Sequence, residues 1–280
     1  MKKNQFYTLS LCFLLMFSMI FLNSCRPDPS EDIVVGESKD EFDMEDQVVI
    51  GDAITEAIKN PIYGFDVLDR ADFQGVYNHL NSLLGQVVNT ATVQRRTDFN
   101  WNITILKDDE QVNAFVAPGG HLFIYTGMLK YLEGEHELVG VIAHEVAYAD
   151  SDMLINRMRE EFGSKKLSKI LSNDQERENI ILQMSEDLRD VVYSREDIEQ
   201  ADDFCTEIIC EFLWDGKGLL SVLQRGSNLS RPIDWLQSKP ADDHRNFRLQ
   251  AKIQARGGDC GMPDSTFQER YLDTVVKRLP

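Results

Sequence analysis

A histidine and a glutamate stand side by side in a predicted helix, at His144 and Glu145. In zinc peptidases such a pair opens the motif HExxH, in which two histidines four residues apart bind one zinc ion from the same helix face. The glutamate takes a proton from the metal-bound water. Here the five residues read His-Glu-Val-Ala-Tyr, so Tyr148 stands where the second histidine would be. A His-Glu pair by itself is more often structural than catalytic.

Four segments around this pair carry a resemblance to a known family. Residues 113–129 read NAFVAPGGHLFIYTGML, residues 137–145 read ELVGVIAHE, residues 193–202 read YSREDIEQAD, and residues 238–245 read SKPADDHR. These segments resemble the NAFxxPGGxxxxxxGLL, deLaaVlaHE, YSRxxExxAD and tHPxxxxR stretches of the HtpX-like and CAAX-prenyl-protease-like zinc metallopeptidases, peptidase family M48. The matches occur in order and at fitting distances across residues 50–255, so the chain is identified as a degenerate member of this family.

The resemblance implies a role for individual positions of the chain. It implies that His144 is the first metal ligand and that Glu145 is the general base, whereas the second histidine ligand falls on Tyr148. The glutamate ligand falls on Ile198. The resemblance also implies that Asp202 supports His144 by a hydrogen bond without binding the metal itself. Two of the three metal-binding side chains are therefore replaced.

The replacements decide what chemistry remains. Isoleucine offers no lone pair, so Ile198 cannot bind a metal, and the phenol of Tyr148 binds one only after losing a proton whose ordinary pKa is about 10. Structural zinc sites gain a binding free energy on the order of 10–16 kcal/mol from about four ligands, so a single histidine should hold zinc only weakly. Without zinc, water is a far weaker acid than metal-bound water, so Glu145 has nothing to activate. We therefore expect no cofactor, and we expect Tyr148 and Ile198 to fill the former metal cavity.

The other histidine positions of the family are also replaced, and one alternative to a lost zinc site remains. Two histidines that the family often carries fall on Met153 and Lys239. A rebuilt zinc site of His144, Asp202 and Tyr148 is the alternative to a lost site. The remaining histidines stand at no ligand position of the family and are expected to face solvent; they are His79, His121, His136 and His244.

The elements that must position these residues follow from the hydrophobic pattern. Apolar residues recur every three or four positions in 135–152, which predicts a helix with one buried face. Three short strands are predicted at 101–106, 113–117 and 121–125, and most of the remaining chain reads as helical. Helices are also predicted at 46–59 and 70–89. The predicted fold class is α+β, mainly α: a zincin-like metallopeptidase domain with a small three-stranded sheet beside the HExxH-type helix.

The first residues read as a targeting segment. Two lysines precede an apolar run of about fourteen residues, shorter than the roughly twenty that a spanning helix needs, and the sequence Leu-Asn-Ser-Cys ends at Cys25. This pattern predicts a lipoprotein signal peptide at 1–24, with Cys25 as the lipid anchor. An uncleaved membrane anchor and an ordinary secretory leader are the alternatives. Residues 25–46 are then an acidic tether, and 47–280 form the peptidase-family domain.

Net charge and cysteine content limit which partners and which cell compartment suit the chain. The formal net charge is −18, and losing the two leader lysines would take it to −20, which disfavours nucleic acid as a partner. We expect a bacterial cell envelope location, periplasmic or surface-facing, with the membrane bound through Cys25. In that oxidising setting Cys205, Cys210 and Cys260 allow one disulfide. Pairing with Cys260 is favoured over pairing within the helix, and three free buried cysteines are the alternative.

Three functions remain compatible with the sequence. The leading hypothesis is a lipid-anchored pseudopeptidase that binds an envelope protein or peptide, with a chaperone-like role in protein quality control. Its substrate strand would be Asn113, Ala114 and Phe115, because an extended peptide can pair with a strand edge without any metal. The alternatives are an active zinc metalloendopeptidase with a rearranged ligand set, in which Glu145 is catalytic, and a purely structural envelope lipoprotein.

Overall fold

The computed structural model describes residues 41–280 except 213, 231, 258–259, 261 and 263–264. The predicted signal peptide, the lipid anchor Cys25 and most of the predicted tether lie outside the described residues. Within the described part of the chain, no helix is both long enough and apolar enough to cross a membrane.

Two amphipathic helices open the described chain, α1 (Met44–Lys59) and α2 (Gln74–Val88). Asp43 caps α1 through a reciprocal pair of hydrogen bonds with Asp46, which satisfies backbone N–H groups that a helix start leaves free. Phe42 is buried. Residues 42–46, predicted as part of the tether, therefore contribute a buried side chain, a helix cap and the first residues of α1.

The sheet has the three predicted strands, β1 (Asn102–Leu106), β2 (Ala114–Ala117) and β3 (His121–Tyr125). The strand order is β1-β3-β2, with β3 parallel to β1 and antiparallel to β2. The turn between β2 and β3 requires glycine at Gly120, where φ is 89° and a Cβ atom would lie 2.9 Å from Cδ2 of Trp101.

Helices make up most of the remaining structure. They are α3 (Thr126–Tyr131), α4 (Glu135–Asp150), α5 (Met153–Phe162), α6 (Ser164–Ile170), α7 (Arg177–Asp187), α8 (Arg195–Ile209), α9 (Gly218–Ser227), α10 (Asp234–Ser238), α11 (Asp243–Ala255) and α12 (Gln268–Thr274). Every residue of α4 is buried, and this helix packs against α8, α9, α2 and β2. The predicted fold class, mainly helical with a small sheet beside the central helix, is confirmed.

Buried carboxylates fix the start of α4. Glu137 accepts two hydrogen bonds from Arg225, at 2.7 and 2.6 Å, and one from the backbone N–H of Glu133 at 2.8 Å. Glu135 pairs with Arg270 on α12. Negative charge in a first helical turn is favourable because the free N–H groups there are partly positive. These contacts hold the helix that carries His144 and Glu145.

One disulfide links the end of α8 to the C-terminal segment, between Cys210 and Cys260. Cys205 is free and buried, and its thiol donates to the carbonyl oxygen of Gly140 at 3.4 Å. The predicted preference for a partner at Cys260 is thus confirmed, with Cys210 as the other half of the pair. Closing a loop of about 50 residues restricts the unfolded chain, so the bond stabilises the packing of this segment on α8.

Candidate active centre

Five polar side chains from distant parts of the chain meet inside the core. His144 and Glu145 come from α4, Asp202 from α8, Lys239 from the residue after α10, and Arg245 from α11. Each is at most 4% exposed. Charged groups are rarely buried so completely unless they are paired. Here four of the five residues form two buried ion pairs, and His144 contacts one of these pairs.

The first pair joins Asp202 to Arg245. The guanidinium donates to Oδ2 of the carboxylate from Nε at 2.9 Å and to Oδ1 from Nη2 at 2.8 Å. Nε2 of His144 lies 3.1 Å from Nη2 of Arg245 and 3.2 Å from Oδ1 of Asp202. Burial alone would raise the pKa of Asp202, but the charge of Arg245 and the hydrogen bonds from both neighbours outweigh it and lower that pKa to about 2. Burial lowers the pKa of His144, which favours a neutral ring.

The second pair joins Glu145 to Lys239. Nζ of the lysine lies 3.3 Å from Oε1 of the glutamate, and the indole N–H of Trp235 donates to the same oxygen at 2.7 Å. Burial lowers the pKa of Lys239, and the charge of Glu145 opposes this shift. Glu145, the position of the family's general base, is therefore engaged by an ammonium group and an indole.

Aromatic rings surround the Lys239 ammonium. Nζ lies 5.7 Å from the ring centroid of Tyr148, 5.4 Å from that of Tyr193 and 5.6 Å from that of Trp235. The two tyrosine rings stack at 3.7 Å, and His144 meets Tyr148 and Trp235 edge-on at 5.2 Å. Burial raises the pKa of Tyr148 well above its ordinary value, so its phenol is protonated at neutral pH.

Ile198 is 5% exposed and forms part of a small pocket beside the centre. The pocket has a volume of about 160 Å³ and is lined by Tyr193, Arg195, Ile198, Glu199, Pro240, Asp242 and Arg245. Arg195 and Asp242 pair across it at 2.7 Å. The pocket is open to solvent, and Ile198, at the position of the family's glutamate, offers no lone pair to a metal.

The side chains at the centre do not fit a zinc ion. Nε2 of His144 is held between Arg245 and Asp202, and Oε1 of Glu145 faces Lys239. Nδ1 of His144, Oε2 of Glu145 and the hydroxyl of Tyr148 are buried without a hydrogen-bond partner among the described residues. Nζ of Lys239 lies 3.3 Å from the other oxygen of the Glu145 carboxylate, so a metal ion bound by Glu145 would be repelled by this ammonium group. Among the described residues, no three histidine, cysteine, aspartate or glutamate side chains form a group suited to a metal.

The predicted substrate strand lies elsewhere and is covered. Asn113, Ala114 and Phe115 are at most 3% exposed, and β2 packs against α4 and residues 188–190 in addition to its partner strand. The side chain of Asn113 donates to the carbonyl oxygen of Arg189 at 3.4 Å and accepts from the N–H of Ala114 at 2.8 Å. Residues 188–190 therefore pack against the strand that the sequence proposed for peptide pairing.

The positions of two histidines and of the residues around Lys239 differ from the sequence-based expectations. The prediction that His121 and His136 face solvent is wrong, because both are buried. His121 hydrogen-bonds to Asp52 at 2.8 Å, and the ring of His136 lies close to Gly134. The aromatic residues around Lys239 were not predicted. The sequence held one indication of them. Lys239 stands at the position of a family histidine, and a buried ammonium group there needs aromatic or acidic neighbours.

Comparisons with known proteins agree with this picture of the fold. A family model described as Peptidase family M48 matches residues 77–253, more than half of the chain. The mitochondrial metalloendopeptidase OMA1 of Schizosaccharomyces pombe is 39% identical over 56 residues, which are 20% of this chain and 16% of that protein. The beta-barrel assembly-enhancing protease of Yersinia pestis is 30% identical over 83 residues, which are 30% of this chain and 16% of that protein. The chain thus spans less than a fifth of the length of these relatives.

Proposed function

This chain belongs to peptidase family M48, and from that premise we propose that it is a member without peptidase activity that acts by binding other proteins in the bacterial envelope. One observation carries the proposal. The glutamate that should activate water is instead paired with the buried ammonium of Lys239 and with the indole of Trp235. A general base needs a free oxygen within hydrogen-bond reach of the water it deprotonates, and the second oxygen of Glu145, Oε2, is buried away from solvent.

The metal that would lower the pKa of such a water has no suitable ligand set. Tyr148 and Ile198 stand at two of the three ligand positions, and the remaining imidazole is held by Arg245 and Asp202. Zinc, when bound in this family, supplies an acidified water and polarises the peptide carbonyl. In this chain the same side chains form a closed, charge-paired core, and this supports a lost reaction over a rearranged metal site.

A measurement of metal content tests the proposal directly. The purified mature protein, incubated with zinc and then dialysed, is expected to retain less than about 0.1 zinc per chain, because zinc affinity requires about four ligands. Hydrolysis of unfolded casein should not exceed that of a protein-free control. About one tightly held zinc per chain, together with casein hydrolysis that Glu145→Gln abolishes, would establish the alternative, an active metalloendopeptidase with a rearranged ligand set.

The binding role is proposed for the pocket beside Ile198 and for the surface around it. A relative is named as a beta-barrel assembly-enhancing protease, which supports an envelope protein or peptide as the partner. The acidic chain, with a net charge of −18, argues against nucleic acid. We propose that lipidation of Cys25 holds this surface near a membrane, where substrates of envelope quality control are exposed.

Photo-cross-linking tests the partner and the anchor together. A photoreactive residue replaces Asp242, exposed at the pocket, or Lys165, exposed on α6 and outside it. Cross-links to an envelope protein are expected from the pocket position and not from the α6 position. Cys25→Ser should move the protein from the membrane fraction to the soluble fraction. Identical cross-linking patterns from both positions would count against the pocket, and unchanged fractionation would count against the anchor.

A further inference from the structure

We propose that Lys239 is a tethered cation seated in a preformed cation-binding cage, and that this cage holds the centre of the fold together. The cage consists of the rings of Tyr148, Tyr193 and Trp235 and the carboxylate of Glu145. The inference concerns what stabilises the centre, and it stands apart from the proposed loss of activity.

The contacts around Nζ are those of a cation site. Aromatic faces attract a cation within about 6 Å of the ring centroid, and all three rings meet that distance. Oε1 of Glu145 supplies the counter-charge at 3.3 Å, and Oγ of Ser238 lies at the same distance. Cages of aromatic rings are also how proteins recognise alkylated ammonium ligands. The ligand in this case is a side chain of the protein itself.

The walls of the cage are fixed by contacts other than those with the lysine. Tyr148 and Trp235 are fully buried, and the stacking of Tyr148 on Tyr193 sets the angle between two walls. The hydrogen bond from the indole N–H of Trp235 to Glu145 fixes the positions of the third ring and of the carboxylate. Shortening the lysine should therefore leave a cavity that still has negative ring faces and a buried carboxylate. Such a cavity is a receptor for a small free ammonium ion.

A rival explanation is that Lys239 only fills space with its four-carbon stem. Long basic side chains do stabilise proteins through the packing of their stems. Lys239→Met keeps most of that packing and removes the charge, whereas Lys239→Ala removes both. If the charge is what matters, both variants lose stability, and only the alanine variant has room for a replacement cation.

Thermal unfolding with added amines tests the cage. Lys239→Ala is expected to lower the melting temperature by on the order of 10 °C, because a buried carboxylate is left unpaired. Propylammonium chloride should restore a substantial part of this loss relative to sodium chloride at equal ionic strength. Wild-type protein and Lys239→Met should not respond to the amine. If Lys239→Ala does not fold alone, refolding yield with and without propylammonium replaces the melting temperature as the readout.

Two results would overturn the proposal. One is a melting temperature of Lys239→Met equal to that of wild type, which would assign the whole effect to packing. The other is an amine effect that survives in the variant carrying both Lys239→Ala and Glu145→Gln, because the cage would then lack its counter-charge. Neither result bears on zinc content or casein hydrolysis, so the failure of this inference is distinguishable from the failure of the proposed function.

Discussion

Replacing Arg245 with methionine is expected to lower the free energy of unfolding by about 3–5 kcal/mol, the usual effect of removing one partner from a buried ion pair. Its guanidinium makes two hydrogen bonds to Asp202 and donates to the carbonyl oxygens of Lys239 and Pro240 at 2.8 and 3.2 Å. Without it, Asp202 remains as an uncompensated charge in the core. Urea unfolding followed by circular dichroism measures the change.

Arg248→Met is the matched control for this prediction. Arg248 lies one helical turn away on α11, and its ion pair with Asp203 is partly exposed to solvent. Pairs of that kind contribute about 0–1 kcal/mol, so this variant should unfold almost as the wild type does. Equal losses from the two arginine variants would show that α11, and not the buried pair, is the sensitive element.

The acid dependence of the wild-type protein provides a second readout of the same pair. The pKa of Asp202 is about 2 in the folded protein, against an ordinary value of 3.8. A carboxyl group whose pKa is lowered by folding contributes stability above its unfolded pKa and loses that contribution as the pH falls through its folded pKa. The stabilisation should therefore be complete above about pH 4 and decline toward pH 2. Arg245→Met should show a weaker decline over this window.

The largest change in binding is expected from restoring the ligands. The variant that combines Tyr148→His, Ile198→Glu and Lys239→His should retain about one zinc per chain, because it offers two histidines and a glutamate from the facing helices α4 and α8. Lys239 is changed as well because its ammonium would repel the metal. Elemental analysis after dialysis measures the zinc, and circular dichroism verifies the fold.

Two comparison variants make the restoration interpretable. Adding His144→Ala should abolish zinc retention, since it removes one of the three ligands. Keeping Lys239 while changing the other two positions should reduce retention, since the ammonium remains beside Glu145. A restored variant that folds normally and binds no zinc would mean that the helices no longer hold these positions close enough to share a metal.

Periodicity and local motifs were enough to predict much of the architecture. The hydrophobic pattern predicted the strands at 101–106, 113–117 and 121–125, and the apolar stripe at 135–152 predicted the central helix that carries His144 and Glu145. The family resemblance identified which positions should meet. These features are encoded within short stretches of the sequence, so they can be recognised without knowledge of the tertiary fold.

The interior of the centre could not be predicted in the same way. A lysine usually lies at the surface, and although Lys239 stands at the position of a family histidine, the sequence does not show that the rings of Tyr148 and Tyr193 enclose it. Tyr148 lies on α4 and Tyr193 lies just before α8, so the two rings meet only in the tertiary fold. For the same reason the strand pattern at 113–117 predicted a strand but not the segment at 188–190 that covers it.

The buried lysine also affects the conditions under which this protein can complete its folding. A domain built around zinc completes its folding only where the ion is delivered, because much of its stability comes from the bound metal. The positive charge at this centre is part of the polypeptide and arrives with synthesis. On the proposed loss of zinc, the chain should therefore reach its native state without added metal and withstand chelators.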